Sequence, residues 1–218
     1  RKQKRRGTKK YKYAQAEKER MKQQKYFGFF STSQREVVDL VKAWLAISIA
    51  FGIVLRRQDD LGGFLGSLVV ALVVVGSGFL LHELGHKVVA QKYRFKAEFR
   101  SFDEMLFLAI IMSFFGFVFA APGAVMIQAN GIDKRRNGLI SLAGPLVNIT
   151  LALLFLSVQP FTSGFLNVLM SYGLRINGWL ALFNMIPVWL FDGAKVWRWS
   201  KLVWFILVIA ALSLVFVA

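Results

Sequence analysis

Six long apolar blocks dominate the chain and alternate with short charged segments. A helix needs about 20 apolar residues to cross a bilayer, and most of the blocks approach that length. The chain is therefore predicted to be an all-α polytopic membrane protein with five to six membrane-embedded helices. The blocks span residues 40–55, 64–81, 105–127, 138–158, 164–191 and 202–218.

The composition supports a membrane protein. Apolar residues make up 56% of the 218 residues and charged residues 18%. This leaves too little polar surface to coat a large soluble helical protein of the same length, which is the alternative interpretation. The chain has no cysteine, and this excludes disulfide frameworks and thiolate metal sites.

Basic residues are concentrated in the first part of the chain. Residues 1–35 hold 13 of the 28 lysines and arginines, and the whole chain has a formal charge of +16. We predict a basic cytoplasmic or interfacial arm over 1–35, whose interleaved aromatic residues suit contact with anionic lipid headgroups. Nucleic acid is not expected as a partner, because no binding motif accompanies the charge. Residues 36–218 are predicted to form the membrane domain. Ser33 and Glu36 have the spacing of a capping box and mark the end of the arm, just before the first apolar block.

The apolar block 64–81 runs directly into the sequence HELGH at residues 82–86. His82 and His86 are the only histidines, and a helix places residues four apart on one face, one turn from each other. Two such imidazoles can bind one metal ion, and Glu83 can take a proton from water, as in the metalloprotease motif H-E-x-x-H. Ionisable groups at membrane depth are costly and usually functional. The alternative is a histidine pair that only hydrogen-bonds to neighbouring helices.

A catalytic zinc ion normally has three protein ligands and one open position. Because the chain has no third histidine and no cysteine, the third ligand must be an oxygen donor. Most candidate acids lie in charged segments beside basic residues, whereas Asp192 ends the apolar stretch NMIPVWLF and precedes a glycine. The candidates outside the arm are Glu36, Asp39, Asp59, Asp60, Glu98, Asp103, Glu104, Asp133 and Asp192.

Three segments together carry a resemblance to a known family. HELGH, AGPLVN at 143–148 and NMIPVWLFDG at 184–193 resemble, in this order, the site-2 protease family of intramembrane zinc metalloproteases. The resemblance covers residues 64–195, which we take as the catalytic core. Pro187 lacks a backbone donor and is expected to break the helix within the last segment. Phe191 departs from the family pattern, which usually has leucine or methionine there.

The resemblance implies a fold and a set of residue roles. One zinc ion would be held by His82, His86 and Asp192, and Glu83 would be the general base. Asn184 would help to hold the scissile peptide or its oxyanion, and so would be both a catalytic and a substrate-binding residue. The resemblance also implies a membrane-associated strand near the active site, which could pair with an unwound substrate.

The orientation of the chain depends on block 105–127. If the basic arm is cytoplasmic, the histidines lie toward the cytoplasmic end of their helix, as the positive-inside rule favours. A single crossing by 105–127 would then leave Asp192 near the opposite face, too far from the histidines to share a metal ion. We therefore predict a re-entrant or small β element between the second and third full crossings. A single hydrophobic crossing is the alternative.

The function that best fits these features is intramembrane zinc endopeptidase. The substrate would be a membrane-anchored protein, cut within or near the cytoplasmic side of the cell membrane and unwound locally at the cut. Two alternatives stay open. The first is another membrane zinc protease, such as a prenyl-protein protease, which would use a third ligand other than Asp192. The second is a non-catalytic membrane scaffold, which would not need Glu83.

Overall fold

Seven helices, one short 3-10 helix (Gln159–Phe161) and four short strands are found in the described part of the chain. A computed structural model describes residues 25–27, 30–56, 62–118, 122–129, 131–188 and 191–218. The helices are α1 (Gln34–Leu55), α2 (Phe64–Lys92), α3 (Asp103–Phe114), α4 (Lys134–Val158), α5 (Gly164–Asn184), α6 (Asp192–Trp199) and α7 (Lys201–Val217). The strands are β1 (Lys25–Phe27), β2 (Phe30–Thr32), β3 (Lys96–Ser101) and β4 (Gly123–Gln128).

The apolar blocks account for the helices. Three helical stretches of the described residues are long and apolar enough to cross a bilayer: Gln34–Leu55, Phe64–Lys92 and Lys134–Phe161. Helix α7 is apolar but shorter. The mostly helical architecture predicted from the sequence is confirmed, with three candidate membrane-spanning helices among the described residues. The count of five to six membrane-embedded helices and the re-entrant placement stay predictions.

Helix α1 begins at the expected cap. Ser33 Oγ accepts a hydrogen bond from the Glu36 backbone N–H at 3.2 Å, which satisfies one of the free donors at a helix N-terminus. The Glu36 carboxylate does not complete the capping box, because it points to Lys87 instead, with Oε2 2.7 Å from Nζ. Most of the predicted basic arm, residues 1–24, lies outside the described residues.

Residues at the end of the arm form a small hairpin. Strand β1 pairs with β2 in antiparallel register, with Phe27 opposite Phe30. Strand β2 contacts the end of α2, where the Gln91 side chain accepts a hydrogen bond from the Ser31 N–H at 2.9 Å and donates one to its carbonyl oxygen at 2.9 Å. The hairpin therefore joins the basic segment to the helix that carries the HELGH motif.

Helix α2 contains a π-helical segment, Ala71–Gly76, one residue before the α-helical stretch that carries HELGH. Trp44 of α1 donates a hydrogen bond from Nε1 to the Leu72 carbonyl at 3.1 Å. A Cβ at Gly76 would lie 2.4 Å from the Trp44 ring and 2.4 Å from the Ser48 hydroxyl. The glycine thus allows α1 and α2 to pack closely.

Block 105–127 divides into a helix and a strand. Helix α3 has 12 residues, too few to span a bilayer. Strand β4 pairs antiparallel with β3, with Phe99 opposite Val125. The Phe102 N–H donates a hydrogen bond to the Pro122 carbonyl at 3.1 Å. Pro122, after α3, therefore lies next to Phe102, the residue that precedes α3. The predicted small β element is present, and it lies between α2 and α4.

Helix α4 lies at the centre of the second half and contacts α2, α5, α6 and α7. Helix α5 ends at Asn184, before Pro187, as the proline predicts. The chain then turns and starts α6 at Asp192. The apolar core between these helices consists of Ile149, Ala152, Leu174, Ala181, Met185, Val196, Leu207, Ala211 and Leu214.

Candidate metal centre

The two histidines of α2 face α4 at a glycine. A Cβ on Gly144 would lie 2.4 Å from His86 Nε2 and 2.5 Å from His82 Nε2, so only a residue without a side chain fits there. Gly85 allows the same approach from the other side, because its Cβ would lie 3.1 Å from the Ala143 carbonyl oxygen. These glycines let the backbone of α4 pass directly beside the imidazoles.

Asp192 joins the histidines. Its Oδ2 lies 2.9 Å from His86 Nε2 and 3.4 Å from His82 Nε2, and the two Nε2 atoms are 3.1 Å apart. All three side chains are buried. Within the described ranges they form the one group of three potential metal ligands whose donor atoms lie within 4.8 Å of one another. Two other candidate acids, Asp59 and Asp60, lie outside the described residues.

The outer nitrogen of each imidazole is fixed by a hydrogen bond. His86 Nδ1 lies 2.7 Å from the Ile140 carbonyl oxygen, which can only accept, so this nitrogen carries the proton. His82 Nδ1 lies 2.6 Å from Asn148 Oδ1. The amide orientation follows from its other end, where Asn148 Nδ2 donates to the Gly78 carbonyl at 3.2 Å. In the neutral form of both rings, the Nε2 lone pairs therefore face each other and the carboxylate.

This arrangement fits zinc. Two unprotonated ring nitrogens and a carboxylate oxygen repel one another at these separations, and a cation among them would offset that repulsion. Zinc bonds to such donors are about 2.0–2.2 Å long, so tetrahedral ligand atoms lie roughly 3.3 Å apart, close to the 2.9, 3.1 and 3.4 Å observed here. Nδ1–H groups held by protein acceptors are the usual support of histidine ligands.

The turn after α5 places Asp192. A Cβ on Gly193 would lie 2.2 Å from the Met185 carbonyl oxygen, so the glycine lets α6 start directly against the end of α5. Trp204 Nε1 donates to the same carbonyl at 2.7 Å. The second carboxylate oxygen, Asp192 Oδ1, accepts from Lys195 Nζ at 3.3 Å. This contact leaves Oδ2 to face the histidines.

Glu83 lies beside the three candidate ligands and reaches the β-sheet. It is buried, and its Oε2 accepts a hydrogen bond from the Val125 backbone N–H of β4 at 3.2 Å. Because β4 has one neighbouring strand among the described residues, its other edge is the side that faces Glu83. A carboxylate and a strand edge that no other described strand pairs with therefore lie together next to the histidines.

Asn184 is close to this turn but is engaged with its own helix. It is the last residue of α5, and its Nδ2 donates to the Leu180 carbonyl at 2.8 Å. In the described residues, no hydrogen bond connects Asn184 to the two histidines or Asp192. The geometry brings together four of the five predicted site residues, and Asn184 would have to release Leu180 to act on a bound peptide.

Sequence reasoning missed the residues that support the candidate ligands. Asn148 hydrogen-bonds His82, and its Nδ2 also donates to Asn177 Oδ1 at 3.0 Å. Both asparagines are fully buried. The sequence indicates in part that these asparagines matter, because a buried amide in an apolar helix needs polar partners. It does not indicate which residues those partners are, since that depends on how α4 and α5 pack against α2.

Comparisons with known proteins agree with this site. A sequence model described as peptidase family M50 matches residues 70–174. A Methanocaldococcus jannaschii protein with the name "Putative zinc metalloprotease MJ0611" is 41% identical over 178 residues, covering 80% of this chain and 90% of that protein. A second protein of that organism, zinc metalloprotease MJ0392, is 31% identical over 132 residues, covering 59% of this chain and 33% of that protein. No solved structure matches the chain.

Proposed function

The chain belongs to peptidase family M50, the site-2 protease family, and is a membrane-bound zinc metalloprotease; from this premise we propose that it cleaves membrane-anchored proteins within the bilayer, near the cytoplasmic face. The observation that carries the proposal is the convergence of His82, His86 and Asp192 beside Glu83 in apolar helices. A prenyl-protein protease is less well supported, because that alternative expects a third ligand other than Asp192.

We assign the metal to three side chains and the proton transfer to a fourth. His82 Nε2, His86 Nε2 and Asp192 Oδ2 would hold zinc, which supplies a Lewis acid that polarises the scissile carbonyl and makes water more acidic. Glu83 takes the proton from the attacking water and returns it to the leaving amine. Asn148 and the Ile140 carbonyl keep the imidazoles oriented throughout.

The substrate peptide would lie along the outer edge of β4. Side chains bond the outer edge of the other strand, β3, at two residues, because Glu36 accepts from the Phe99 N–H and Gln91 donates to the Ala97 carbonyl. On β4 the corresponding contact is the bond from the Val125 N–H to Glu83, which a bound peptide would have to replace at that position. An extended peptide can add to an open strand edge through its backbone, and here that edge passes Glu83 at Val125. Asn184 would then donate to the developing oxyanion after it releases Leu180.

The proposed orientation puts the N-terminus and the site on the cytoplasmic side of the cell membrane. The Arg136 guanidinium, at the start of α4, lies 5.7 Å from the centre of the Tyr93 ring, at the end of α2. The basic residues around 92–96 and those at 134–136 therefore lie at one end of the molecule. This supports a re-entrant placement for the segment between them, because both basic clusters would then lie on the cytoplasmic side, as the positive-inside rule favours. In this orientation, the basic arm would contact anionic headgroups.

The orientation can be tested because the chain has no native cysteine. Arg135→Cys and Ser163→Cys place single thiols at exposed positions in the first turn of α4 and directly before α5. A membrane-impermeant maleimide should label the first only in inverted membrane vesicles and the second only in right-side-out vesicles. Labelling of both residues from one side would refute the proposed placement.

The activity can be tested with a pair of designed substrates. Each is a single-span membrane protein with a leucine-rich segment, and one carries Gly-Gly in place of Leu-Leu near the cytoplasmic end. Two glycines cost a helix about 2 kcal/mol, which raises the unwound fraction roughly 30-fold. Wild type should cut the Gly-Gly substrate faster by up to this factor, with the cut near the glycines by mass spectrometry.

Glu83→Gln is the matched inactive variant. It keeps the shape of the side chain and leaves the three candidate ligands in place, so zinc should stay at the wild-type level while cleavage falls at least about 1,000-fold. Cleavage at the wild-type rate by Glu83→Gln would refute the role of Glu83. A wild-type protein that carries zinc and cuts neither substrate would count against intramembrane proteolysis.

A further inference from the structure

A fully buried ion pair lies one residue beyond the second histidine. Lys87 Nζ and Glu36 Oε2 are 2.7 Å apart, and both side chains are 0% exposed. A buried ion pair is costly to desolvate, so it seldom stabilises a fold more than an apolar pair of the same size. In the described part of the chain, no hydrogen bond or ion pair joins either side chain to a candidate metal ligand, and neither takes part in the proposed chemistry. The pair therefore calls for another explanation.

The Glu36 carboxylate joins four elements of the fold. Besides Lys87 of α2, it accepts hydrogen bonds from the Thr32 hydroxyl of β2 at 2.8 Å and from the Phe99 backbone N–H of β3 at 2.9 Å. The Phe30 ring covers Lys87, with Nζ 4.2 Å from the ring centre. The Glu36 carboxylate, in the first turn of α1, therefore connects β3 to the helix that carries the HELGH motif.

The same face of α2 touches the sheet at a second point. Glu83 and Lys87 are four residues apart, so they lie one above the other on the helix. Glu83 accepts from Val125 N–H, and Lys87 reaches Phe99 through Glu36. Phe99 and Val125 are register partners in the β3–β4 pair. The Phe99–Val125 register pair is therefore bonded at both edges of the sheet, by Glu36 at the Phe99 N–H and by Glu83 at the Val125 N–H.

We propose that Glu36, buried against Lys87, is a positioning residue whose hydrogen bond to the Phe99 N–H sets the distance between the edge of β4 and Glu83. The inference rests on the proposed function, in which the substrate peptide lies along that edge. If the Phe99–Val125 pair shifts, the scissile bond of a peptide on β4 shifts with it relative to Glu83. A displacement of about 1 Å can lower a catalytic rate roughly 100-fold.

Two double variants separate the hydrogen bond from the ion pair. Glu36→Gln with Lys87→Met removes both charges but keeps an oxygen that accepts from Phe99 N–H. Glu36→Leu with Lys87→Met removes both charges and that acceptor as well. Neither variant leaves an unpaired buried charge, which is the main cause of instability when one partner of such a pair is removed. The two proteins differ only at residue 36.

We expect the Gln/Met variant to keep kcat within about threefold of wild type and the Leu/Met variant to lose about 10- to 100-fold. Zinc content should match wild type in both, since no candidate ligand changes. Amide hydrogen exchange of a peptide containing 123–128 should be faster in the Leu/Met variant alone. Cleavage of the Gly-Gly substrate gives kcat and KM separately, and the loss should fall mainly on kcat.

Lys42 and Asp103 provide the matched control. They also join α1 to another element, with Nζ 2.6 Å from Oδ1, but the pair is exposed and has no contact with α2. Lys42→Met with Asp103→Asn should leave kcat and the exchange of 123–128 unchanged. A loss of kcat in this control equal to that in the Leu/Met variant would make the effect a general consequence of weakening α1.

The outcomes distinguish this inference from the proposed function. If wild type cleaves and Glu83→Gln does not, the function stands, and equal kcat in the two double variants overturns the positioning role. If the Leu/Met variant does not fold, the Gln/Met variant still decides: a kcat reduced 10-fold or more there overturns the inference, because that protein keeps the Phe99 hydrogen bond. If zinc-loaded wild type does not cleave, the proposed function fails and the inference fails with it.

Discussion

Gly144→Ala adds one methyl group directly against the two imidazoles. The new Cβ would lie 2.4 Å from His86 Nε2 and 2.5 Å from His82 Nε2, whereas ordinary contacts of this kind begin at 3.4 Å. Each nitrogen would have to retreat by about 1 Å, and metal–ligand distances in real sites hold within about 0.2 Å. We therefore expect zinc affinity to fall by at least about 100-fold, more than the usual effect of losing a supporting hydrogen bond.

The same substitution should have little effect on the stability of the metal-free protein. Alanine is better than glycine inside a helix by about 1 kcal/mol, but residue 144 precedes Pro145 within α4, and proline disfavours the helical backbone of a preceding residue that has a Cβ. Because these effects oppose each other and the histidines can rotate away when no metal holds them, metal-free Gly144→Ala should unfold within about 4 °C of wild type. The assay is zinc per chain after dialysis against a zinc buffer, together with thermal unfolding in detergent with and without a chelator.

Gly178→Ala is the control for this experiment. It is also a glycine within a helix, but its Cβ would come no closer than 3.3 Å to a neighbour, the Val215 side chain. This variant should bind one zinc per chain like wild type. Gly144→Ala with undiminished zinc affinity would refute the reasoning, because the close approach of α4 to the imidazoles would then have no consequence for the metal.

Two further variants test the residues around the metal. Asn148→Ala removes the acceptor for His82 Nδ1–H and should lower zinc affinity about 10- to 100-fold, whereas Thr150→Ala on the same helix, whose hydroxyl bonds only the Leu146 carbonyl, should not; equal affinities in the two would contradict the supporting role of Asn148. Asn184→Ala should keep zinc but lower kcat about 100- to 1,000-fold, as expected for an oxyanion donor; an unchanged kcat on the Gly-Gly substrate would leave Asn184 as a helix-end residue bonded to Leu180.

The sequence predicted the parts of the fold that depend on local pattern. Long apolar blocks predict membrane helices because lipid requires them to be apolar throughout. Ser33 predicts the start of α1, and Pro187 predicts the break after α5. HELGH predicts two imidazoles on one face. Each of these inferences needs only the spacing of neighbouring residues.

Other features depend on contacts between distant segments, which no local pattern reports. Glu36 has the spacing of a capping box, yet its carboxylate pairs with Lys87, 51 residues away. Gly144 and Asn148 belong to the AGPLVN segment that carries part of the resemblance, but their contacts with the histidines arise only because α4 packs against α2. The π-helical turn at Ala71–Gly76 also depends on Trp44 and Ser48 of another helix.

The role of Asp192 as third ligand is the central claim, and zinc per chain in wild type and Asp192→Ala tests it most directly. We expect about one zinc in detergent-purified wild type and a loss of most of it in the variant. Asp103→Ala, which removes an exposed carboxylate far from the histidines, should keep the wild-type value. Undiminished zinc in Asp192→Ala would contradict the claim, and with it the re-entrant placement that brings Asp192 to the level of His82 and His86.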